Sequence, residues 1–260
     1  MSFVIVFCMG AIVGSFLNVC IFRLPEGESV IFPASHCRFC QKPIAWFDNI
    51  PAFSFLRLKG KCRHCGQRIS WQYFAVEVFT AGLFTFFFAT LGLNPIGVVY
   101  LILALALLVE TVIDWRHQII PDAITLPGIL LGFLASFLFP ALHGQTSKIL
   151  GLAGSFAGAF LGGGILYICG TLAEKILKKE AMGGGDVKLL AMIGSILGWQ
   201  GVLWIVFVSS FLGSAAGLYL RFRRGDERIP FGPFLAAAAY LYLFFGTKTI
   251  QMYAHFIGMA

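Results

Sequence analysis

Apolar residues dominate eight stretches of the chain, 2–22, 72–91, 96–113, 123–142, 149–173, 183–200, 201–220 and 232–246. A helix needs about 20 apolar residues to cross the hydrocarbon of a bilayer. The pattern therefore predicts an all-α polytopic membrane protein with about eight transmembrane helices. One long polar segment interrupts it, dividing the chain into a first transmembrane helix (1–22), a loop (23–71) and a transmembrane helical bundle (72–260). The sixth stretch is unusual, because its uninterrupted apolar part, Leu189 to Leu197, is far too short to cross at about 1.5 Å per residue. Its helix must extend back through the preceding glycines, which carries Gly183 to Asp186 inside the membrane boundary. Small residues recur at four-residue spacing in Gly10 and Gly14, in Gly154, Gly158 and Gly162, and in Gly213 and Gly217. That spacing lets helix backbones approach closely in lipid.

Composition agrees with this pattern. Of 260 residues 58% are hydrophobic and 12% charged, which leaves no material for a large soluble catalytic domain. Nineteen Lys and Arg against twelve Asp and Glu give +7, a balance that in a soluble chain would raise nucleic acid as a partner. Placement removes that reading. With the first helix entering from outside, seventeen basic residues fall on inside segments and only Lys148 and Lys248 outside. The positive-inside rule then puts both termini outside and the 23–71 loop in the cytoplasm. The first stretch lacks a basic n-region and an A-x-A-like cleavage site, so it reads as a retained helix. The basic loops, Arg221, Arg223 and Arg224 among them, are expected to face anionic membrane lipid.

Within the loop, Cys37-x-x-Cys40 and Cys62-x-x-Cys65 are separated by 21 residues. Two such pairs match a tetrahedral zinc site, the separation slightly exceeding the usual range of about 15–20. Disulfides are the competing reading, disfavoured in a reducing cytoplasm. Four thiolates leave no open coordination position, so the metal is expected to be structural. A loop this short buries little core and would draw folding energy from the metal. Cys8, Cys20 and Cys169 lie in apolar helices and read as small hydrophobes.

Ionisable groups near membrane spans are costly and each requires a reason. Asp114 ends the third apolar stretch and Asp186 follows Gly183-Gly184-Gly185 at the start of the sixth. Two carboxyls converging from different helices can share one proton, so that one acts as base on a water and the other polarises a peptide carbonyl. The bland alternatives are a helix N-cap for Asp186 and pairing with Arg116 for Asp114. Asp122 fits an N-cap of the fourth helix. Glu110 lies one turn before Asp114 on the same face, either repelling its charge or meeting a buried partner. Glu77, in the second span, is a speculative cofactor-binding anchor, weighed against structural pairing with a loop Arg or Lys.

The ordered set Gly14-Ser15-Phe16-Leu17-Asn18-Val19, Arg23-Leu24-Pro25, Phe32-Pro33-Ala34-Ser35-His36-Cys37, Asp48-Asn49-Ile50-Pro51, the second cysteine pair, Ile113-Asp114, Ile120-Pro121-Asp122, Met182 to Leu189 and Pro230-Phe231-Gly232-Pro233-Phe234 resembles the bacterial type IV prepilin peptidases. These belong to the membrane aspartyl proteases with a G-x-G-D signature. The resemblance spans nearly the whole chain. It implies a bacterial inner-membrane enzyme in which Asp114 and Asp186 are the peptidase pair. The expected substrate is a prepilin or pseudopilin, cut at the cytoplasmic face after a glycine of its short basic leader. Many members then N-methylate the new terminus with S-adenosylmethionine, and the four-cysteine loop accompanies that second activity. Two rival readings stay open, a G-x-G-D peptidase of another branch without methyl transfer and a non-enzymatic membrane assembly subunit with a zinc module.

Overall fold

The computed structural model describes residues 2–178, 183–224 and 230–246, with side chains excepted at 177 and 220–224. The side chains of Arg221, Arg223 and Arg224, and the whole of Lys179, Met182, Arg228 and Lys248, lie outside the described residues. The chain is helical, and among the described residues there is no sheet. The helices are α1 (Phe3–Arg23), α2 (Phe53–Arg57), α3 (Trp71–Leu91), α4 (Pro95–His117), α5 (Asp122–Leu138), α6 (Lys148–Leu177), α7 (Gly184–Arg224) and α8 (Gly232–Leu241). Five stretches are long and apolar enough to cross a membrane, Phe3–Arg23, Trp71–Leu91, Pro95–His117, Lys148–Ile176 and Gly184–Tyr219, and two shorter apolar helices are Asp122–Leu138 and Gly232–Gly246.

The sixth and seventh apolar stretches have no loop between them. They run together as α7, broken only at Gly198, whose φ of 72° is left-handed backbone. The break is a corner. A Cβ built on Gly194 would meet Val202 Cγ2, eight residues on, at 2.8 Å. In a straight helix eight residues rise about 12 Å, so the chain folds back there, and counting both limbs restores eight apolar helical segments among the described residues. A bent helix exposes carbonyls that lipid cannot satisfy. Here the Ser155 and Ser136 hydroxyls donate to the Ser195 carbonyl at 2.5 and 3.3 Å, and Ser136 Oγ lies 2.8 Å from His143 Nε2.

The chain forms two compact units that divide between Leu101 and Ile102, inside α4. In the first unit, α1 and α3 meet backbone to backbone. A Cβ at Gly10 would lie 2.7 Å from Ala81 Cα, and one at Gly14 would lie 2.7 Å from Glu77 Cα. Buried Asn18 crosses the seam, donating from Nδ2 to the Tyr73 carbonyl at 3.1 Å. In the second unit, α6 packs antiparallel on the first limb of α7 through the anticipated small residues. A Cβ at Gly158 would strike the Gly194 carbonyl, and one at Gly162 would lie 2.5 Å from the Leu190 carbonyl oxygen. Against the same limb α5 runs parallel, since Gly128 meets Met192 and Gly132 meets Ser195.

Candidate functional site

Asp114 lies in the last turn of α4, where the apolar run ends, and is 5% exposed. The first turn of α8 brings Gly232 beside it, and the Gly232 N–H donates to Asp114 Oδ2 at 3.0 Å. No side chain fits between them, because a Cβ on Gly232 would sit 2.5 Å from that oxygen. Asp186 stands in the first turn of α7. Its Oδ1 is buried and has no hydrogen-bond partner among the described residues. Ile120, in the turn between α4 and α5, packs against Gly185, the neighbour of Asp186, and against Gly232, the donor to Asp114, so the two carboxyl-bearing turns converge on one residue. A Cβ on Gly185 would meet Ile120 Cβ at 2.9 Å, and one on Gly232 would meet Ile120 Cδ1 at 3.4 Å. The glycines flanking both carboxyls thus have a physical reason in close packing.

Asp122 does not cap α5. It is the first residue inside the helix, and Lys188 Nζ holds its two oxygens at 2.7 and 2.8 Å. One residue separates Lys188 from Asp186, so this ion pair ties the start of α7 to the first turn of α5. Glu110 is 1% exposed, and neither carboxyl oxygen has a partner among the described residues. Sequence reasoning did not reach the Gly232 N–H or the Asp122–Lys188 pair. The Pro-Phe-Gly-Pro segment stood in the sequence with no titratable group to signal its contact.

In the first unit, the four cysteines come together. Their sulfurs all lie within 4.8 Å of one another, and Cys37 Sγ is 3.8 Å from Cys65 Sγ. A tetrahedron with Zn–S bonds of about 2.3 Å has S···S edges of about 3.8 Å, so the donor set fits zinc. Two matching turns present the sulfurs. Cys37 N–H bonds to the Lys42 carbonyl and Cys62 N–H to the Gln67 carbonyl, both at 2.9 Å. Each turn passes through a left-handed residue directly after its second cysteine, Gln41 (φ 58°) and Gly66 (φ 71°). The Cys65 and His64 backbone N–H groups lower the Cys62 thiol to about 7, favouring the thiolate a metal requires. His36 Nδ1 is engaged 3.0 Å from the Ala34 carbonyl. Glu77 meets neither a loop Arg nor a loop Lys through any described ion pair. Its Oε2 accepts the Ala52 backbone N–H at 2.7 Å.

Two family models match the chain, the bacterial peptidase A24 N-terminal domain over residues 8–91 and the type IV leader peptidase family over residues 101–218. Among curated proteins, a prepilin leader peptidase/N-methyltransferase of Xanthomonas campestris pv. campestris is 32% identical, with 96% of this chain and 94% of the relative covered. Proteins of the same description from Pseudomonas putida and Aeromonas hydrophila are each 35% identical, covering 92% and 96% of this chain and 89% and 93% of their own length. No solved structure matches the chain significantly.

Proposed function

Since this chain belongs to the type IV leader peptidase family, we propose that it removes the leader peptide of a prepilin or pseudopilin, with Asp114 and Asp186 as the acid–base pair. The observation that carries the reading is the convergence on Ile120 of two carboxyl-bearing turns from separate helices, one carboxyl oriented by a backbone N–H and the other with an oxygen that has no partner among the described residues. One aspartate takes a proton from water as the water oxygen attacks the scissile carbonyl carbon. Its partner, protonated, donates to the carbonyl oxygen as negative charge develops there. The C–N bond then breaks with a proton returned to the leaving amine. The site sits in the bacterial inner membrane, with the four-cysteine loop in the cytoplasm and both termini outside. A substrate with a basic leader and an apolar helix would thus present its junction at the cytoplasmic interface.

The relatives' shared name carries a second activity, and we assign it to this chain as methylation of the new N-terminus. S-adenosylmethionine supplies an activated methyl group for that reaction. Zinc, held by Cys37, Cys40, Cys62 and Cys65, has a structural role, because four sulfurs complete its tetrahedron.

The test is mass spectrometry of the N-terminus of a co-expressed prepilin. Wild type should yield a trimmed, methylated terminus. Asp114→Asn and Asp186→Asn should each lower cleavage by at least about 10²-fold while remaining inserted. Efficient cleavage by either purified variant removes that residue from the pair. Trimmed but unmethylated product from wild type leaves a peptidase alone.

A further inference from the structure

The four-cysteine loop is joined at both ends to membrane spans, yet it does not simply stand off the membrane. Its middle dips back. Glu77 lies six residues inside α3 from Trp71, about 9 Å along the helix axis. Side chains on a helix lean toward its N-terminus, which brings the carboxylate to roughly one turn inside the span. Ala52 meets it there, its N–H 2.7 Å from Glu77 Oε2. Beside this contact, Asn49 and Pro51 line a cleft of about 410 Å³ together with Ile12, Ser15 and Phe16 of α1. The stretch from Asn49 to Ala52 therefore reaches below the ends of both helices, and α2 follows directly from it.

Its backbone is prepared for that depth. The Ile50 N–H donates to Ser54 Oγ at 3.1 Å, the Ser54 N–H to the Ile50 carbonyl at 3.0 Å and the Phe53 N–H to the Pro51 carbonyl at 2.6 Å. Pro51 has no N–H to satisfy. Irregular backbone survives in a membrane only when its polar groups are met internally. Two of its apolar side chains, by contrast, are left uncovered, with Phe53 56% and Leu56 59% exposed, a costly display in water. Charge continues the pattern above the dip. Segment 23–71 carries eight basic and three acidic residues. Arg63 and Arg57 hold the Asp48 carboxyl below the usual carboxylate range, so this cluster keeps a net positive charge. A basic leader peptide would be repelled by that surface, whereas anionic headgroups would be drawn to it.

We propose that the Asn49–Arg57 turn is a membrane-seated hook, with Phe53 and Leu56 among acyl chains of an anionic leaflet and the basic loop residues on its headgroups. Glu77 pins the hook through Ala52. This assignment is independent of the peptidase reading, because its test uses no substrate. A photoreactive diazirine amino acid is placed singly at Phe53, Leu56, Phe16 and Gln67 in the full chain, reconstituted in phosphatidylglycerol nanodiscs and confirmed monodisperse. Phe16 is 51% exposed on α1 and reports lipid; Gln67, exposed on the second cysteine turn, reports water. Lipid adducts at Phe53 and Leu56 matching those at Phe16, with none at Gln67, are expected. Water quenching at Phe53 and Leu56, crosslinks there to a second copy of the chain, or lipid adducts at Gln67 as abundant as at Phe53 would overturn the hook. Replacing phosphatidylglycerol by phosphatidylcholine should reduce the adducts at Phe53, and an unchanged yield overturns the anionic preference.

Discussion

Gly232 is the residue whose identity the aspartate geometry constrains most tightly. Its N–H orients Asp114 at 3.0 Å and its missing side chain leaves room for the carboxyl. Gly232→Val should therefore push Asp114 aside, lowering kcat more than it raises KM, while the helices stay packed. Undiminished kcat in that variant would show the contact to be incidental. Both aspartates could be read in the sequence, because a carboxyl at the edge of an apolar run has a cost that demands a purpose. Gly232 could not, since a backbone donor 118 positions along the chain from its acceptor leaves no mark on local composition. Asp122 illustrates the opposite failure. Its place at the head of an apolar run suggested a cap, but the competing Lys188 ammonium, supplied by tertiary packing, took both oxygens.

Among the elements, the two cysteine turns are the most self-contained, and their spacing alone announced them. The sulfur geometry fits a metal that would replace the missing core of the loop. Purified protein should contain about one zinc per chain. Cys37→Ser with Cys40→Ser should lose that zinc and speed proteolysis between Arg23 and Trp71, and a metal-free loop that still resists protease would sink the idea. The helices were legible to within a few residues, because lipid imposes length and apolarity directly on the sequence. Helix α5 ends at Leu138, short of the expected 142, where Pro140 opens a separate turn. The corner at Gly198 falls within a few residues of the expected division between the sixth and seventh stretches, but how its carbonyls are met was not legible, because the serine partners arrive from α5 and α6.

At the scale of the whole molecule, the candidate metal centre and the aspartate pair belong to different compact units. Cleavage and methyl transfer should therefore separate. Asp114→Asn given a synthetic, already trimmed pilin N-terminus and labelled S-adenosylmethionine should still transfer label, whereas Cys62→Ser with Cys65→Ser should not. If the aspartate variant binds the methyl donor normally and transfers nothing, the two reactions share the pair. The corner at Gly198 has a further consequence for the surrounding lipid. The limb of α7 that begins beside Asp186 runs from Gly184 only to the break at Gly198, about 21 Å of helix. That falls well short of a hydrocarbon layer of about 30 Å. Its parallel neighbour α5, at 17 residues, spans about 26 Å. Hydrophobic mismatch of this kind is relieved by thinning the bilayer locally. The enzyme would carry a dimple in the membrane around its aspartates, drawing water and the leader junction down to them. Cleavage in vesicles should then be fastest with short acyl chains and slow as the chains lengthen, and a rate indifferent to bilayer thickness would argue against the dimple.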